Sequence, residues 1–330
     1  MEKKVHPLQD YVKQPGGRYG RRAFLNQLAS AGAVLAMDGC VSARDGGAKV
    51  QIGAITYSFR KMPRFPFSEL GYAAKTGLDT VELMGDHLEL AAGAPGLSAN
   101  YGVKRSKEDW EALGRWRKSA RDDVFAPVKA RYDEAGVGVH IVKFSDIGAS
   151  VVPDWQMEYY FRAAKAMGAK AITRELPKPE EREGTGRRLA EWADRFGVRV
   201  AFHNHLQINA LTYDGPLLGY SPNLGINFDI GHYVASNDDD PLDFVRKYAD
   251  RIVSIHVKDR TRAAHKARNL PFGRGDTPIG PLLRLIRDSR LPIHADIELE
   301  YHVPGESDAV REVARCAAYC RAELEKEVKA

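Results

Sequence analysis

The stretch LAEWADRFGVRVAFHNH, Leu189–His205, joins a helix-like segment to a β-rich run through one glycine, Gly197. Glycine suits the left-handed turn that ends a helix, because it has no Cβ to clash there. The same phrase occurs at Tyr72–Met84 (YAAKTGLDTVELM), Lys129–Phe144 (KARYDEAGVGVHIVKF) and Arg162–Glu175 (RAAKAMGAKAITRE), with Gly77, Gly136 and Gly168 in the equivalent place. The apolar runs that follow are four to six residues long, which suits strands covered on both faces. Helices alternating with such strands imply right-handed βαβ units and a parallel sheet.

Extended in both directions, the pattern predicts eight strands, near residues 50–57, 79–84, 138–144, 170–175, 198–204, 224–229, 252–257 and 292–299. Helical patterns lie between them and after the last. The longest, Lys107 to Ala135, contains Pro127 and should break or kink there. Eight such strands predict a (β/α)8 TIM barrel. A doubly wound open sheet is disfavoured, because ITYSFRKMPRF after the first strand has no glycine-rich phosphate loop. Two long loops are expected, 85–105 and 258–277. Cys316 and Cys320, four apart in a helical pattern, read as buried thiols: their Cβ atoms would be about 5–6 Å apart, too far for a disulfide.

The composition is that of an ordinary globular protein, with 44% hydrophobic and 28% charged residues. No apolar run reaches the roughly 18 residues of a membrane span. The N-terminus differs from the rest. Arg21 and Arg22 precede a short alanine-rich apolar run and a small-residue site ending at Ala43, the layout of an export signal. The Arg-Arg-Ala-Phe-Leu sequence is similar to a twin-arginine signal, which would make the export machinery a partner and the periplasm or exterior the destination. Residues 44–330 then form a single catalytic domain. Cys40 is a rival lipid-attachment point, with Asp38 poorly placed for one. Removing residues 1–43 takes away six basic and three acidic residues, so the net charge falls from +5 to about +2. That balance argues against nucleic acid as a partner.

In barrels of this kind active sites form at the carboxyl ends of the strands. The predicted strands end in Glu82, Lys143, Glu175, then His203 and His205 of HNH, then Asp229 with His232, then His256 with Lys258, then Glu298. Carboxylates and imidazoles converging on one rim would be costly to bury without compensation. They are ligand types for a divalent cation such as manganese, cobalt, zinc or magnesium.

LGINFDIGHY (Leu224–Tyr233), RIVSIHVKDR (Arg251–Arg260) and ADIELEY (Ala295–Tyr301), with GLDTVELM upstream, resemble the xylose-isomerase-like sugar phosphate isomerase/epimerase family over residues 50–325. The resemblance implies the same barrel and a divalent metal held by carboxylates from strands 5 and 8, an aspartate from strand 6 and a histidine from strand 7. Asp229, His256 and Glu298 take the last three places, and with His203 on strand 5 and Glu175 on strand 4 they are the metal ligands expected from the resemblance. It further implies that His232 and Lys258 face substrate oxygens, a role also expected of His205 and Lys143. Strand 5 departs from the pattern, with His203 where many members carry a glutamate.

The expected activity is a metal-dependent isomerase or epimerase of a sugar acting through an enediolate, with Glu175 and Glu298 moving the proton. Epimerisation uses a base on each face. The change at His203 therefore makes a lyase or dehydratase of keto-sugars or keto-glycosides the alternative. A non-catalytic carbohydrate-binding barrel is the third reading, and a homo-oligomer is possible in any of them. The basic residues Lys258, Arg260, Arg262, Lys266, Arg268 and Arg274 could form a lid over an anionic substrate group, or simply a solvated loop.

Overall fold

The computed structural model describes residues 49–98 and 102–327. The export signal expected over residues 1–43, with Cys40, lies outside the described residues. Eight parallel strands close into a barrel: β1 (Ile52–Ile55), β2 (Thr80–Met84), β3 (Gly138–Lys143), β4 (Ala171–Glu175), β5 (Arg199–His203), β6 (Leu224–Asp229), β7 (Ile252–Val257) and β8 (His294–Ile297). Each pairs with its sequence neighbours, and β1 closes the ring against β8. All eight coincide with expected strands.

The glycines behave as their chemistry requires. Gly77, Gly136, Gly168 and Gly197 have φ between 64° and 73°, so each ends a helix in the left-handed region. The long helical pattern is broken, though not at Pro127. One helix runs Lys107–Ser119 and a second Ala126–Glu134, with a 3-10 turn at Asp122–Phe125 between them. Pro127 sits in the first turn of the second helix, where its missing N–H would have had no helical partner. The expected loop 85–105 also differs, because it opens with a helix, Gly85–Ala91. Cys316 and Cys320 are buried free thiols, as expected.

The strands are packed outward against helices and carry polar groups toward the axis. Phe228 of β6 stacks on Phe244 of the helix Pro241–Lys247, with ring centroids 4.5 Å apart. Its neighbours Asn227 and Asp229 point the other way, as the two-residue period of a strand requires. Two register shifts, at Val81/Glu82 between β2 and β3 and at Ile226/Asn227 between β6 and β7, fall just before inward polar residues. Such irregularities re-aim side chains, and here they do so next to the site.

Candidate metal centre and active site

His203 and Asp229 are the last residues of β5 and β6, His256 lies near the end of β7, and Glu298 follows β8 directly. Strand pairing sets them side by side: Asp229 is in register with His256, and the Glu298 amide donates to the Val257 carbonyl at 3.1 Å. All four are buried, and their potential ligand atoms lie within 4.8 Å of one another.

Each imidazole is held from behind. His203 Nδ1 is 2.7 Å from Asn227 Oδ1. Asn227 Nδ2 donates to Ser254 Oγ at 2.6 Å and Glu82 Oε2 at 3.2 Å, so its oxygen must face the histidine. His203 Nδ1 therefore carries the proton and Nε2 the lone pair. Burial, reinforced by Lys143 and His256, keeps the ring neutral by pushing its pKa well down. His256 Nε2 lies 2.8 Å from Glu82 Oε2 and Nδ1 lies 3.2 Å from Glu298 Oε2. Burial opposes the charge on His256, but Glu82 and Glu298 raise its pKa to about 10. Glu82 also accepts from Thr173 Oγ1 at 2.6 Å.

Lys258 supplies the balancing charge. Its ammonium is 2.8 Å from Asp229 Oδ2, 2.7 Å from Glu298 Oε2 and 2.7 Å from Glu300 Oε2. Burial disfavours the ammonium, but those three carboxylates hold its pKa above the usual value. Burial pushes Asp229 up, while Lys258 and His256 overcome the same penalty at Glu298 and hold it well below the usual carboxylate range.

A divalent cation fits this arrangement. The donor set is two imidazoles and two carboxylates, suited to zinc, manganese or cobalt. Glu82 behind His256 and Asn227 behind His203 are the partners that metal-bound histidines almost always have. A cation here would take over the charge balance now provided by Lys258 and the His256 proton.

Glu175 and His205 lie farther out. Glu175 is 39% exposed at its side chain, pairs with Lys143 Nζ at 2.8 Å, and lies 3.2 Å from His205 Nε2. Glu175, His203 and His205 form a second grouping with ligand atoms within 4.8 Å. Glu175 is thus not in the four-donor cluster but beside it. His232, at the start of the helix Ile230–Ser236, stacks on His205 with centroids 4.9 Å apart. Its amide is capped by Asp229 Oδ1 at 2.7 Å.

The basic loop divides. Asp259–Arg260 and Asn269–Leu270 form a short antiparallel ribbon. Asp259 Oδ2 accepts from the amides of Arg274 and Gly275, each at 2.9 Å. Lys258 and Arg260 are buried and reach the site, Arg262 donates to the Asn237 carbonyl, and Lys266, Arg268 and Arg274 are exposed. Sequence reasoning missed Asn227 and Glu300 as site residues. Asn227 sits two positions from Asp229 on the same face of β6, a spacing that could have found it, whereas Glu300 lies beyond the end of β8, where no strand period applies.

A family profile described as xylose isomerase-like TIM barrel matches residues 70–319. The rhizopine catabolism protein MocC of Rhizobium meliloti is 27% identical over 224 residues, 64% of this chain and 64% of that protein. Inosose dehydratase of Lacticaseibacillus casei is 36% identical over 84 residues, 24% of this chain and 28% of the enzyme. The chain thus spans less than two thirds of the length of either curated relative. Among solved structures, the apo form of 3-keto-D-glucoside 4-epimerase from E. coli superposes with a TM-score of 0.55 at 17% identity, covering 83% of this chain and all of that one.

Proposed function

This chain belongs to the xylose isomerase-like TIM-barrel family, and from that premise we propose that it is a divalent-metal-dependent enzyme that removes the proton beside the carbonyl of a keto-sugar or keto-cyclitol. The observation that carries this reading is the buried cluster of His203, Asp229, His256 and Glu298, each imidazole oriented by its own partner. Bound there, the cation would supply Lewis-acid polarisation of the carbonyl.

The chain's own residues divide the remaining work. Asp229 and Glu298 belong to the cation cluster, so neither is free to move protons. Glu175 stands outside it, partly open to solvent, and is the available base. Lys143 and His205 hold its two carboxylate oxygens. One base with N–H donors nearby supports elimination: Glu175 takes the proton, the C–H electron pair forms the double bond, and the neighbouring hydroxyl leaves as water with the proton that Glu175 passes on to it. Epimerisation needs a second base, which the exchange of an acid for His203 has removed. The partial likeness to inosose dehydratase supports the same choice. A second reading, isomerisation, is favoured by Glu175 itself, since one base can return the proton it takes.

The test is a panel of ketoses, inososes and 3-keto-glycosides followed by NMR in heavy water. Elimination predicts loss of a hydroxyl from one member, and isomerisation predicts deuterium at one carbon. Either should stop on chelation and fall by about 10²-fold or more in Glu175→Gln. Turnover unaffected by both would refute the proposal.

A further inference from the structure

A cavity of about 450 Å³ opens on the same end of the barrel as the cation cluster, a size usual for small-molecule sites. Arg64 reaches it from the loop after β1 and Asp86 from the helix that follows β2. Lys104 and Arg105 precede the helix Lys107–Ser119, whose first turns hold Trp110. The loop after β1 is tied to the segment that carries Glu298. Ser58 Oγ donates to the Ile297 carbonyl at 3.2 Å and accepts from the Leu299 amide at 3.0 Å, and Arg60 Nη1 donates to the Leu299 carbonyl at 2.8 Å.

Among the described residues lining the cavity, Arg64, Lys104 and Arg105 set three cations against the carboxylate of Asp86. Arg64 is buried, only 8% exposed, and its Nε and Nη2 have no hydrogen-bond partner among the described residues. Nη2 lies 2.9 Å from Asp86 Oδ2, an ion pair without the alignment of a hydrogen bond. Nε and Nη2 share one edge of the guanidinium, the fork that takes a carboxylate through two parallel bonds. A buried edge left without an acceptor is costly, and an anion relieves it. Asp86 Oδ1 is likewise buried without a donor, so it calls for a hydroxyl beside that anion. Arg105 stands over Trp110, 4.5 Å from the ring centroid, with Nη2 3.9 Å from Asp86 Oδ2. The capping box of Ser106 and Asp109 fixes the backbone between them.

We propose that this cavity is a subsite for a sugar-acid unit of the substrate, with its carboxylate on the Arg64 fork and a neighbouring hydroxyl donating to Asp86. A bare anion satisfies Arg64 but leaves Asp86 Oδ1 without a donor, and a neutral sugar does the reverse. The assignment rests on the function proposed above, with the keto ring at the cation cluster and the acid unit beside β1 and β2. The substrate class is then a keto-glycoside that carries a uronate.

Calorimetry on the full-length protein tests it, with methyl β-D-glucuronide, methyl β-D-glucoside and acetate as probes. The glucuronide should bind at least about 10-fold more tightly than either of the others, the scale of one hydrogen bond to a charged group. Arg64→Met should abolish the preference over the glucoside, and Asp86→Ala should narrow the preference over acetate. Lys104→Met, a change at an exposed residue, should weaken the glucuronide by about 2- to 5-fold, which keeps the test open if Arg64→Met does not fold. Equal affinities for glucuronide and glucoside would overturn the proposal. So would a preference that survives Arg64→Met and disappears on chelation, because the carboxylate would then be on the cation cluster. No turnover enters the titration. The subsite therefore stands or falls separately from the reaction on keto-sugars.

Discussion

His203 occupies the place where a carboxylate is usual in the family it resembles, and Asn227 turns that exchange into a usable ligand. By accepting from Nδ1, Asn227 leaves Nε2 facing Asp229, His256 and Glu298. Asn227→Ala should therefore weaken metal binding by roughly 10–100-fold, the usual effect of removing a ligand's orienting partner. Competition against a chromophoric chelator measures it, and an unchanged affinity would remove Asn227 from the account. Lys258 carries the converse prediction. Lys258→Met leaves Asp229, Glu298 and Glu300 without their shared cation. Removing one partner of a buried ion pair costs about 3–5 kcal/mol. Urea denaturation should show that loss in chelated protein and partial recovery when a divalent cation is added. Equal losses with and without metal would mean that Lys258 and the cation do not share the carboxylates.

At the scale of elements, the helix Ile230–Ser236 and the segment after β7 are packed closely enough to require glycine. A Cβ on Gly231 would stand 2.2 Å from Lys258 Cγ and 2.9 Å from the Lys258 carbonyl oxygen. Gly231→Ala should cost about 1–3 kcal/mol by overpacking and displace the ammonium from its carboxylates. Thermal denaturation together with metal titration checks both effects, and a variant of wild-type stability would contradict this packing. These elements were largely legible in the sequence. Helix-ending glycines and short apolar runs are local signals, so all eight strands were found, as were Asp229, His256 and Glu298 at their ends. The break between Ser119 and Asp122 is not marked by Pro127, because a proline fits the first turn of a helix as well as an interruption. The burial of Lys258 and Arg260, against the exposure of Lys266, Arg268 and Arg274, was not legible. It depends on a two-residue ribbon too short to show a period. Nor could the sequence tell that Glu175 pairs with Lys143, since that contact spans two strands.

Across the whole molecule, the barrel has a second buried polar group, built from β3 and β8. His140 of β3 stacks on His294 of β8 with centroids 4.2 Å apart and lies 2.9 Å from Asp296 Oδ2. Burial, followed by His140, lowers the His294 pKa to about 4, against an ordinary 6.5. The unfolded chain therefore binds a proton between these values that the folded chain resists. The stability associated with neutral His294 is complete above about pH 6.5 and is lost as the pH falls toward 4. His294→Gln should flatten that part of the wild-type curve of unfolding free energy against pH, and an identical slope in both proteins would exclude His294 as its source. Among the described residues no helix is long and apolar enough to cross a membrane. The barrel's distinctive property is thus its polar axis, with the cation cluster at the carboxyl end.

Metal stoichiometry decides whether the cluster of His203, Asp229, His256 and Glu298 holds a cation. Purified full-length protein, His203→Ala and Asp229→Asn are each dialysed against a defined concentration of zinc or manganese and measured by elemental analysis. The wild type should retain close to one ion per chain and both variants substoichiometric amounts, with their folds intact by circular dichroism. A wild-type chain that retains no ion, or folded variants that retain as much as the wild type, would contradict a cation at this cluster.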